Sequence, residues 1–382
     1  MSIEIHGRVA PGFEPVRDAF ADNFARTDEI GAAFALYRDG ESIVDIWAGH
    51  RDRKKTLPWL EDTIVPVFST GKAITALVMA WLVDQGRFSY DDPMTEYWPD
   101  FGQNGKDAIT IAQALSHQAG LSGPATPMEP SQWFDREFIE SYFAAQAPLW
   151  PLSKGSGGEG SGYHPVSFGV LADAIVRRTD PKGRTIGALL KEELAGPRDI
   201  DFLVGVPEDQ HERAAEHMLP PKPPFLGKIN PYREAAFLKP YSSPGRRGAA
   251  AWRSAELPAA NGHGTARAIA ELMSVFARGG LLRDERLISE ATLAEALKVR
   301  VSGEDKVLPF DLAFAAGVML NRNSGHYGPE PQTVGHYGFG GSCGFADPVQ
   351  GLSGAYVMNR QMDVLVGDER AIALINAAYG CV

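Results

Sequence analysis

Apolar residues recur at helical spacing in several segments along the chain. Positions three and four residues apart that are all apolar predict amphipathic helices. The predicted helices span residues 12–26, 70–85, 109–116, 135–146, 165–178, 186–194, 265–278, 289–298 and 368–379. Because most of them fall between residues 108 and 300, the middle of the chain is expected to be mainly helical.

Strand patterns occur instead near the two ends of the chain. Residues 32–49 read as a hairpin, since two apolar runs flank the turn Arg38-Asp39-Gly40-Glu41. Toward the C-terminus, residues 312–321, 333–339 and 351–360 have strand composition and are separated by Gly, Pro and Asn. Strands at both ends with helices between them predict one sheet built from both termini.

The proline-dense segment 219–247 is too long for a simple connection. It is expected to form either a structured wall over a pocket or a mobile cover.

Residues 155–160 fit G-x-G-x-x-G, but no convincing strand precedes them, so they are interpreted as a loop that leads to Tyr163. Residues 340–344 fit G-x-S-x-G, but no helix pattern follows, so Ser342 is not expected to be a nucleophile.

Composition narrows the class of protein. The 382 residues are 44% hydrophobic and 22% charged, which is typical of a globular protein. A net charge of −11, with acidic residues scattered, argues against nucleic acid or an anionic membrane as partner and favours a small uncharged substrate. No signal-like or membrane-spanning pattern is seen, so a cytoplasmic location is expected. Cys343 and Cys381 are expected to be free thiols, with no metal site.

Ser69-Thr70-Gly71-Lys72 is an S-x-x-K motif at the predicted start of helix 70–85. A serine at a helix N-terminus lies beside free backbone N–H groups, which stabilise developing negative charge. Lys72 lies on the same helix face, where desolvation would let its amine accept or relay the serine proton. The alternative is that Ser69 caps the helix and Lys72 extends along the surface to solvent.

Five further motifs follow in a fixed order: DDP at 91–93, LSHQAGL at 115–121, YHP at 163–165, NGHGTAR at 261–267 and GHYGFGGS at 335–342. Together with S-x-x-K, this order resembles serine hydrolases related to class C β-lactamases and penicillin-binding proteins, and most of all the family VIII carboxylesterases. The resemblance covers about residues 10–380. It implies an α+β fold in which residues 1–68 and 310–382 form an antiparallel sheet flanked by helices. Residues 69–309 would form a mainly helical lobe, with the active site in the cleft.

The resemblance also assigns roles to site residues. Tyr163 matches the tyrosine of the family's Y-x-N motif, a general base or proton relay whose pKa nearby donors or cations could lower. The third position here is a proline, so the asparagine that helps to hold a β-lactam amide is missing. His117 is taken as structural, since its motif recurs in the family as a turn signature. Alone, Tyr163 would read as an ordinary helix-start residue.

His336-Tyr337-Gly338 matches the family's K-T-G motif, which lines the site along a strand. A histidine is mostly neutral near pH 7, so the fixed charge that pairs with a substrate carboxylate is weakened and uncharged esters are expected as substrates in preference to penicillins. Alone, His336 would read as a strand residue bonded to backbone. The backbone N–H groups of Ser69 and Phe339 would form the oxyanion hole. Candidates for the apolar walls are Trp133, Phe134, Trp150, Phe225, Tyr241 and Phe339, with Phe134 and Trp150 as predicted substrate contacts.

The sequence therefore predicts a serine carboxylesterase for short-chain acyl esters, with Ser69 as nucleophile and Lys72 and Tyr163 as a coupled base. No metal or organic cofactor is expected, and weak β-lactam hydrolysis is compatible with the site. A β-lactamase, peptidase or acyltransferase of the same fold, and a ligand-binding protein without activity, stay open as alternatives.

Overall fold

A nine-stranded antiparallel sheet forms the centre of the computed structural model, which describes residues 3–152 and 160–382. In chain order the strands are β1 (Ile5–Val9), β2 (Gly31–Arg38), β3 (Glu41–Gly49), β4 (Val65–Pro66), β5 (Phe202–Leu203), β6 (His263–Gly264), β7 (Leu281–Leu282), β8 (Glu285–Arg286), β9 (Val301–Glu304), β10 (Asp311–Phe314), β11 (Met319–Leu320), β12 (Val334–Tyr337), β13 (Cys343–Asp347) and β14 (Leu352–Met358). The large sheet has the order β1-β3-β2-β14-β13-β12-β11-β10-β9, while β4-β6-β5 and β7-β8 form two small sheets.

The pairing of β2 with β14 joins the two ends of the chain. It runs from Leu352 opposite Arg38 to Met358 opposite Ala32. Both strands are almost completely buried, which explains their continuous apolar runs, because helices cover both faces of the sheet. Successive residues of β2 alternate between the two hydrophobic cores on either side, as the period of two along a strand requires.

Each of the nine predicted helices is present. The helices are α1 (Glu14–Arg26), α2 (Gly71–Asp84), α3 (Met94–Tyr97), α4 (Ile111–Leu115), α5 (Arg136–Ala145), α6 (Ser167–Thr179), α7 (Ile186–Leu189), α8 (Pro231–Arg233), α9 (Ala250–Ser254), α10 (Ala266–Ala277), α11 (Glu290–Ala296) and α12 (Glu369–Tyr379). Three short helices, α3, α8 and α9, were not predicted. Helices α1 and α12 pack on one face of the sheet, and α2 and α10 on the other. The predicted helix 186–194 is α7 continued by a π-helical turn, Leu190–Leu194. Among the described residues, none of the helices combines the length and apolarity needed to cross a bilayer.

The strands differ more from prediction than the helices do. Residues 312–321 form two strands instead of one, because Gly317 takes a φ of +98° in the turn between β10 and β11. The edge strand β1 was not predicted, since its central residues are exposed and carry no apolar alternation. Strand β9 joins the sheet ahead of residue 310, the predicted start of the C-terminal sheet region.

The proline-dense segment 219–247 contains α8 and a π-helical turn, Glu234–Leu238. It is anchored to the strand region, because the Arg233 Nε donates to the Val307 carbonyl at 2.7 Å. Its own turn is closed by Ser242, whose hydroxyl donates to the Ala235 carbonyl at 2.7 Å. The segment is thus a structured part of the molecule. The glycine-rich motif 155–160 falls outside the described residues except for Gly160.

Candidate active site

Ser69 is placed by the strand that precedes it. Strand β4 pairs with β6, and the Val67 N–H donates to the Gly262 carbonyl at 2.9 Å. Phe68 has a φ of +48°, an unfavourable value for a non-glycine residue, so the chain turns sharply just before the serine. Ser69 then lies in a 3₁₀ turn, Phe68–Thr70, that leads directly into α2. Its hydroxyl is thereby presented at a helix N-terminus, as predicted.

Lys72 contacts Ser69 from the first turn of α2. Its Nζ lies 2.9 Å from Ser69 Oγ, 2.8 Å from the Pro165 carbonyl oxygen and 3.1 Å from the Ala259 carbonyl oxygen. The side chain is fully buried, and burial lowers the pKa of Lys72 well below that of an exposed lysine. No carboxylate within the described residues pairs with it. The alternative of a lysine reaching solvent is therefore wrong.

The three contacts of Lys72 use all three hydrogen-bonding positions of its Nζ. The Nζ donates to the Ser69 Oγ and to the carbonyls of Pro165 and Ala259. The Ala259 carbonyl is held in place by Asn261, which accepts a bond from the Leu257 N–H and donates to the carbonyls of Trp252 and Ala255. The amine is thus held against the Ser69 hydroxyl.

Tyr163 is fixed beside this pair by contacts on its backbone and its ring. The Tyr163 N–H donates to Asp305 Oδ1 at 3.0 Å. The ring packs against His117 with centroids 4.6 Å apart, and Lys72 Nζ lies 4.9 Å from the ring centroid. His117 also accepts, through Nδ1, a hydrogen bond from the His164 N–H at 3.2 Å. These contacts agree with the structural role predicted for His117, and they bring residues 69, 72 and 163 together.

The protonation of Tyr163 differs from the sequence-based expectation. Burial raises the pKa of Tyr163, the Asp305 carboxylate raises it further, and only a hydrogen bond with the Ser69 hydroxyl lowers it. The expectation that neighbouring cations would lower this pKa is therefore wrong, because burial dominates it. Tyr163 is a phenol at neutral pH, so it can donate or relay a proton but does not start as a phenolate.

The turn after β12 carries Phe339. The Gly338 N–H donates to the Ser342 carbonyl at 2.7 Å, and the Ser342 hydroxyl donates to the Val67 carbonyl, also at 2.7 Å. Ser342 therefore connects this turn to the segment before Ser69, and β13 follows it directly, so it is no nucleophile elbow. Within the described residues the Phe339 N–H has no hydrogen-bond acceptor, which leaves it available for an oxyanion.

His336 lies on β12 with its side chain buried. Its Nδ1 donates to the Tyr337 carbonyl at 2.7 Å, so the proton is on this nitrogen. Burial, together with the nearby Lys72, lowers the pKa of His336 to about 3. The imidazole is neutral and supplies no fixed charge, as the sequence indicated. Its ring packs 5.9 Å from that of Tyr163, so it supports the phenol.

A cavity of about 320 Å³ opens in front of Ser69 and Tyr163. Its wall is mostly apolar and includes residues from the segment 219–247, with Arg247 among them. The described residues that line it include Tyr337, a predicted substrate contact, and Phe339, a predicted wall residue, as well as Phe68, Trp252, Phe237, Met319, Leu365 and Val366. Segment 219–247 thus forms a wall of the cavity.

The other predicted wall residues lie elsewhere. Among the described lining residues of this cavity, Trp133, Phe134, Trp150, Phe225, Tyr241, His336 and Gly338 do not occur. Trp150 is buried over Gly162, where an added Cβ would meet the indole at 2.4 Å, so it supports the Tyr163 segment. Phe134 borders a smaller, separate pocket. Gly338 contributes close backbone packing instead, since a Cβ there would lie 2.1 Å from the Ser342 hydroxyl oxygen.

Several functional residues were missed from the sequence. Asp305 supports Tyr163 from a position 142 residues away, and no local motif marks it. The roles of the Pro165 and Ala259 carbonyls are equally invisible to motif analysis, because backbone carbonyls are common to all residues. In the described part of the chain, no cluster of three or more His, Cys, Asp or Glu side chains is arranged to hold a metal ion.

Comparison with known proteins decides the family. The model of the β-lactamase family matches residues 16–377. The chain belongs to the β-lactamase family. This β-lactamase-family protein is 34% identical, over 96% of its length and 86% of the relative's, to the esterase/β-lactamase LipL of Mycobacterium tuberculosis.

Two solved structures resemble this β-lactamase-family protein closely. A penicillin-binding protein homologue from Caulobacter crescentus is 47% identical with a TM-score of 0.95, over 99% of this chain and 100% of the other. A family VIII carboxylesterase is 38% identical with a TM-score of 0.91, over 100% of both chains. The predicted fold class, the resemblance and the prediction of an enzyme are confirmed: the protein is a β-lactamase-like serine hydrolase with esterase relatives.

Proposed function

We propose that the protein is a carboxylesterase that cleaves short-chain acyl esters through a Ser69 acyl-enzyme. The observation that carries this proposal is the 2.9 Å contact between Ser69 Oγ and the fully buried Lys72 amine, beside a largely apolar cavity. A hydroxyl within hydrogen-bonding distance of a neutral base is the arrangement that nucleophilic acyl transfer requires.

The proposed reaction proceeds in two halves. The Lys72 amine takes the Ser69 proton while Oγ attacks the ester carbonyl, and the N–H groups of Ser69 and Phe339 stabilise the tetrahedral oxyanion. As the carbon–oxygen bond to the alcohol breaks, the leaving oxygen receives the proton from the Lys72 ammonium by way of the Tyr163 phenol. A water molecule, deprotonated by the same groups, then attacks the acyl-enzyme and releases the carboxylic acid.

The cavity supports esters as the substrate class. A volume of about 320 Å³ with walls such as Phe237, Met319 and Leu365 accommodates a short acyl chain. The neutral His336 on β12 does not supply the cation with which a β-lactam carboxylate pairs in the related K-T-G enzymes. Hydrolysis of β-lactams is the second candidate, because LipL is described as both an esterase and a β-lactamase.

The test is a pre-steady-state assay with p-nitrophenyl acetate. We expect a burst of p-nitrophenol stoichiometric with enzyme, followed by slower turnover, and no burst in Ser69→Ala. Comparing p-nitrophenyl butyrate, p-nitrophenyl octanoate and nitrocefin then ranks the substrates, with butyrate expected to have the highest kcat/KM. Turnover that persists in Ser69→Ala would contradict the proposal, and a higher kcat/KM for nitrocefin would favour the second candidate.

A further inference from the structure

Arg247 stands out on the wall of the catalytic cavity because it lacks a counter-ion. It lines the cavity from the segment 219–247, at the position where that segment approaches α9. Among the residues that the structure describes, no carboxylate lies within 4.0 Å of its guanidinium, although the chain has 48 acidic residues against 37 basic ones. Arg247 is exposed to solvent. Its guanidinium is therefore hydrated, and it can exchange that water for an anionic group that enters the cavity.

The guanidinium of Arg247 is held close to the reacting groups. Its central carbon lies 5.8 Å from the ring centroid of Phe68 and 5.4 Å from that of Phe339. Phe68 precedes the nucleophile, and the N–H of Phe339 is the second donor of the proposed oxyanion hole. These two cation–π contacts orient the planar group against the aromatic wall, while its N–H donors have no hydrogen-bond acceptor in the described part of the chain.

A second arginine without a carboxylate partner in the described part of the chain, Arg253, acts on the same histidine as Arg247. Within the described residues, Arg253 on α9 forms no ion pair, and its Nε is buried without a hydrogen-bond partner. Both guanidiniums act on His217: together with burial they lower the pKa of His217 to about 4. The ring of His217 packs 5.1 Å from that of Phe68, which connects this cationic cluster to the turn before Ser69. The cavity wall is therefore positively charged at one place, in a protein whose net charge is −11.

We propose that Arg247 determines substrate specificity by binding a carboxylate carried by the ester substrate. This proposal rests on the esterase function proposed above and narrows its substrate class to anionic esters, in contrast to the uncharged substrate expected from the sequence. Guanidinium–carboxylate pairs form two parallel hydrogen bonds, which would orient the ester in an otherwise apolar cavity. The cation that the K-T-G motif would place on β12 is absent at His336, and in this proposal Arg247 of the segment 219–247 holds the carboxylate instead.

Two pairs of substrates test the proposal, each differing only in charge. p-Nitrophenyl hydrogen adipate carries a free carboxylate on the acyl side, and in p-nitrophenyl methyl adipate that carboxylate is a neutral methyl ester. 4-Acetoxybenzoate and its methyl ester do the same on the alcohol side. In at least one pair we expect kcat/KM of the anion to exceed that of the neutral ester about tenfold or more, as one charge-assisted hydrogen bond allows. The preference should decrease as salt increases.

Variants separate binding of the anion from a structural role. In Arg247→Gln we expect the anion-to-neutral ratio of kcat/KM to fall at least about tenfold, whereas Arg247→Lys retains part of it because a charge remains. Arg246→Gln changes the neighbouring arginine, which is also exposed but is not among the described residues that line the cavity; it is the matched control and should keep the wild-type ratio. A purely structural Arg247 would lower both rates equally and leave the ratio unchanged.

The outcomes distinguish the two proposals. A preference in the acyl pair, the alcohol pair or both supports the inference and locates the carboxylate. No preference in either pair, or a preference that Arg247→Gln retains, overturns it while Ser69-dependent turnover of p-nitrophenyl butyrate leaves the esterase function intact. Should Arg247→Gln fail to fold, the wild-type ratio, its salt dependence and Arg247→Lys still decide the question.

Discussion

Replacing Lys72 by Met tests the protonation state on which the proposed chemistry depends. The methionine fills the same buried space without an ionisable group. The proposed mechanism requires a neutral amine in the folded wild type, and burial lowers the pKa of Lys72 in that direction, whereas in the unfolded chain the amine stays protonated up to about pH 10.5. Unfolding therefore takes up a proton at every pH between the folded and the unfolded pKa.

The sign and size of the effect follow from this linkage. The unfolded state binds more protons in that window, so the contribution of Lys72 to stability increases as pH rises and is complete only above the unfolded pKa. One proton corresponds to about 1.4 kcal/mol per pH unit. The free energy of unfolding of the wild type minus that of Lys72→Met should thus rise by about 2.7 kcal/mol between pH 7.5 and 9.5.

Urea denaturation at several pH values measures this difference. Other groups that titrate in the range contribute equally to both proteins and cancel. His117 and His336, whose pKa values Lys72 helps to lower, are neutral at these pH values with or without the amine. A difference that stays constant from pH 7.5 to 9.5 would mean that Lys72 is protonated in the folded protein. The amine could then not accept the Ser69 proton, and the mechanism would be wrong.

Three further substitutions probe the surroundings of Ser69. Tyr163→Phe should lower kcat/KM for p-nitrophenyl butyrate by about 10²- to 10⁴-fold with little change in thermal unfolding, and a loss under about threefold would remove the phenol from the proton path. Asp305→Ala leaves buried N–H groups without their acceptor, so urea unfolding should show a loss of at least about 3 kcal/mol; an unchanged midpoint would contradict the anchoring role. Gly338→Ala puts a Cβ 2.1 Å from the Ser342 hydroxyl oxygen and should displace the Phe339 N–H, lowering kcat about 10²-fold; full activity would refute the assigned oxyanion donor.

The helices were predictable from the sequence because their ends are determined by neighbouring residues. The Thr265 side chain caps α10 by accepting a hydrogen bond from the Ala268 N–H. The Ser289 side chain caps α11 by accepting one from the Thr292 N–H. Such signals lie within a few residues of the helix they begin. Ser69, Lys72 and Tyr163 were equally accessible, since each belongs to a short motif in a recognisable order.

The supporting groups could not be predicted in this way. Asp305 and the carbonyl of Ala259 reach the site through the fold, from positions far along the chain, and neither has a distinctive neighbourhood in the sequence. The same limit explains Trp150, where an aromatic side chain expected on the cavity wall is used to pack over Gly162. The pKa of Tyr163 moved opposite to expectation because burial, a property of the folded state, dominates it.

The charge of the substrate is a property of the whole cavity and does not follow from one motif. His336 in place of the K-T-G lysine indicates a site without a cation when β12 is considered alone, and the imidazole is indeed neutral. Arg247 brings a guanidinium to the same cavity from a segment with no motif, against Phe68 and Phe339. The electrostatic potential at the bound ester is the sum of contributions from all walls of the cavity. With a neutral histidine in place of the K-T-G lysine on β12, the proposed position for binding an anion is therefore at Arg247. The charge of the substrate is therefore better inferred from the unpaired cations around the cavity than from the residues at the K-T-G position alone.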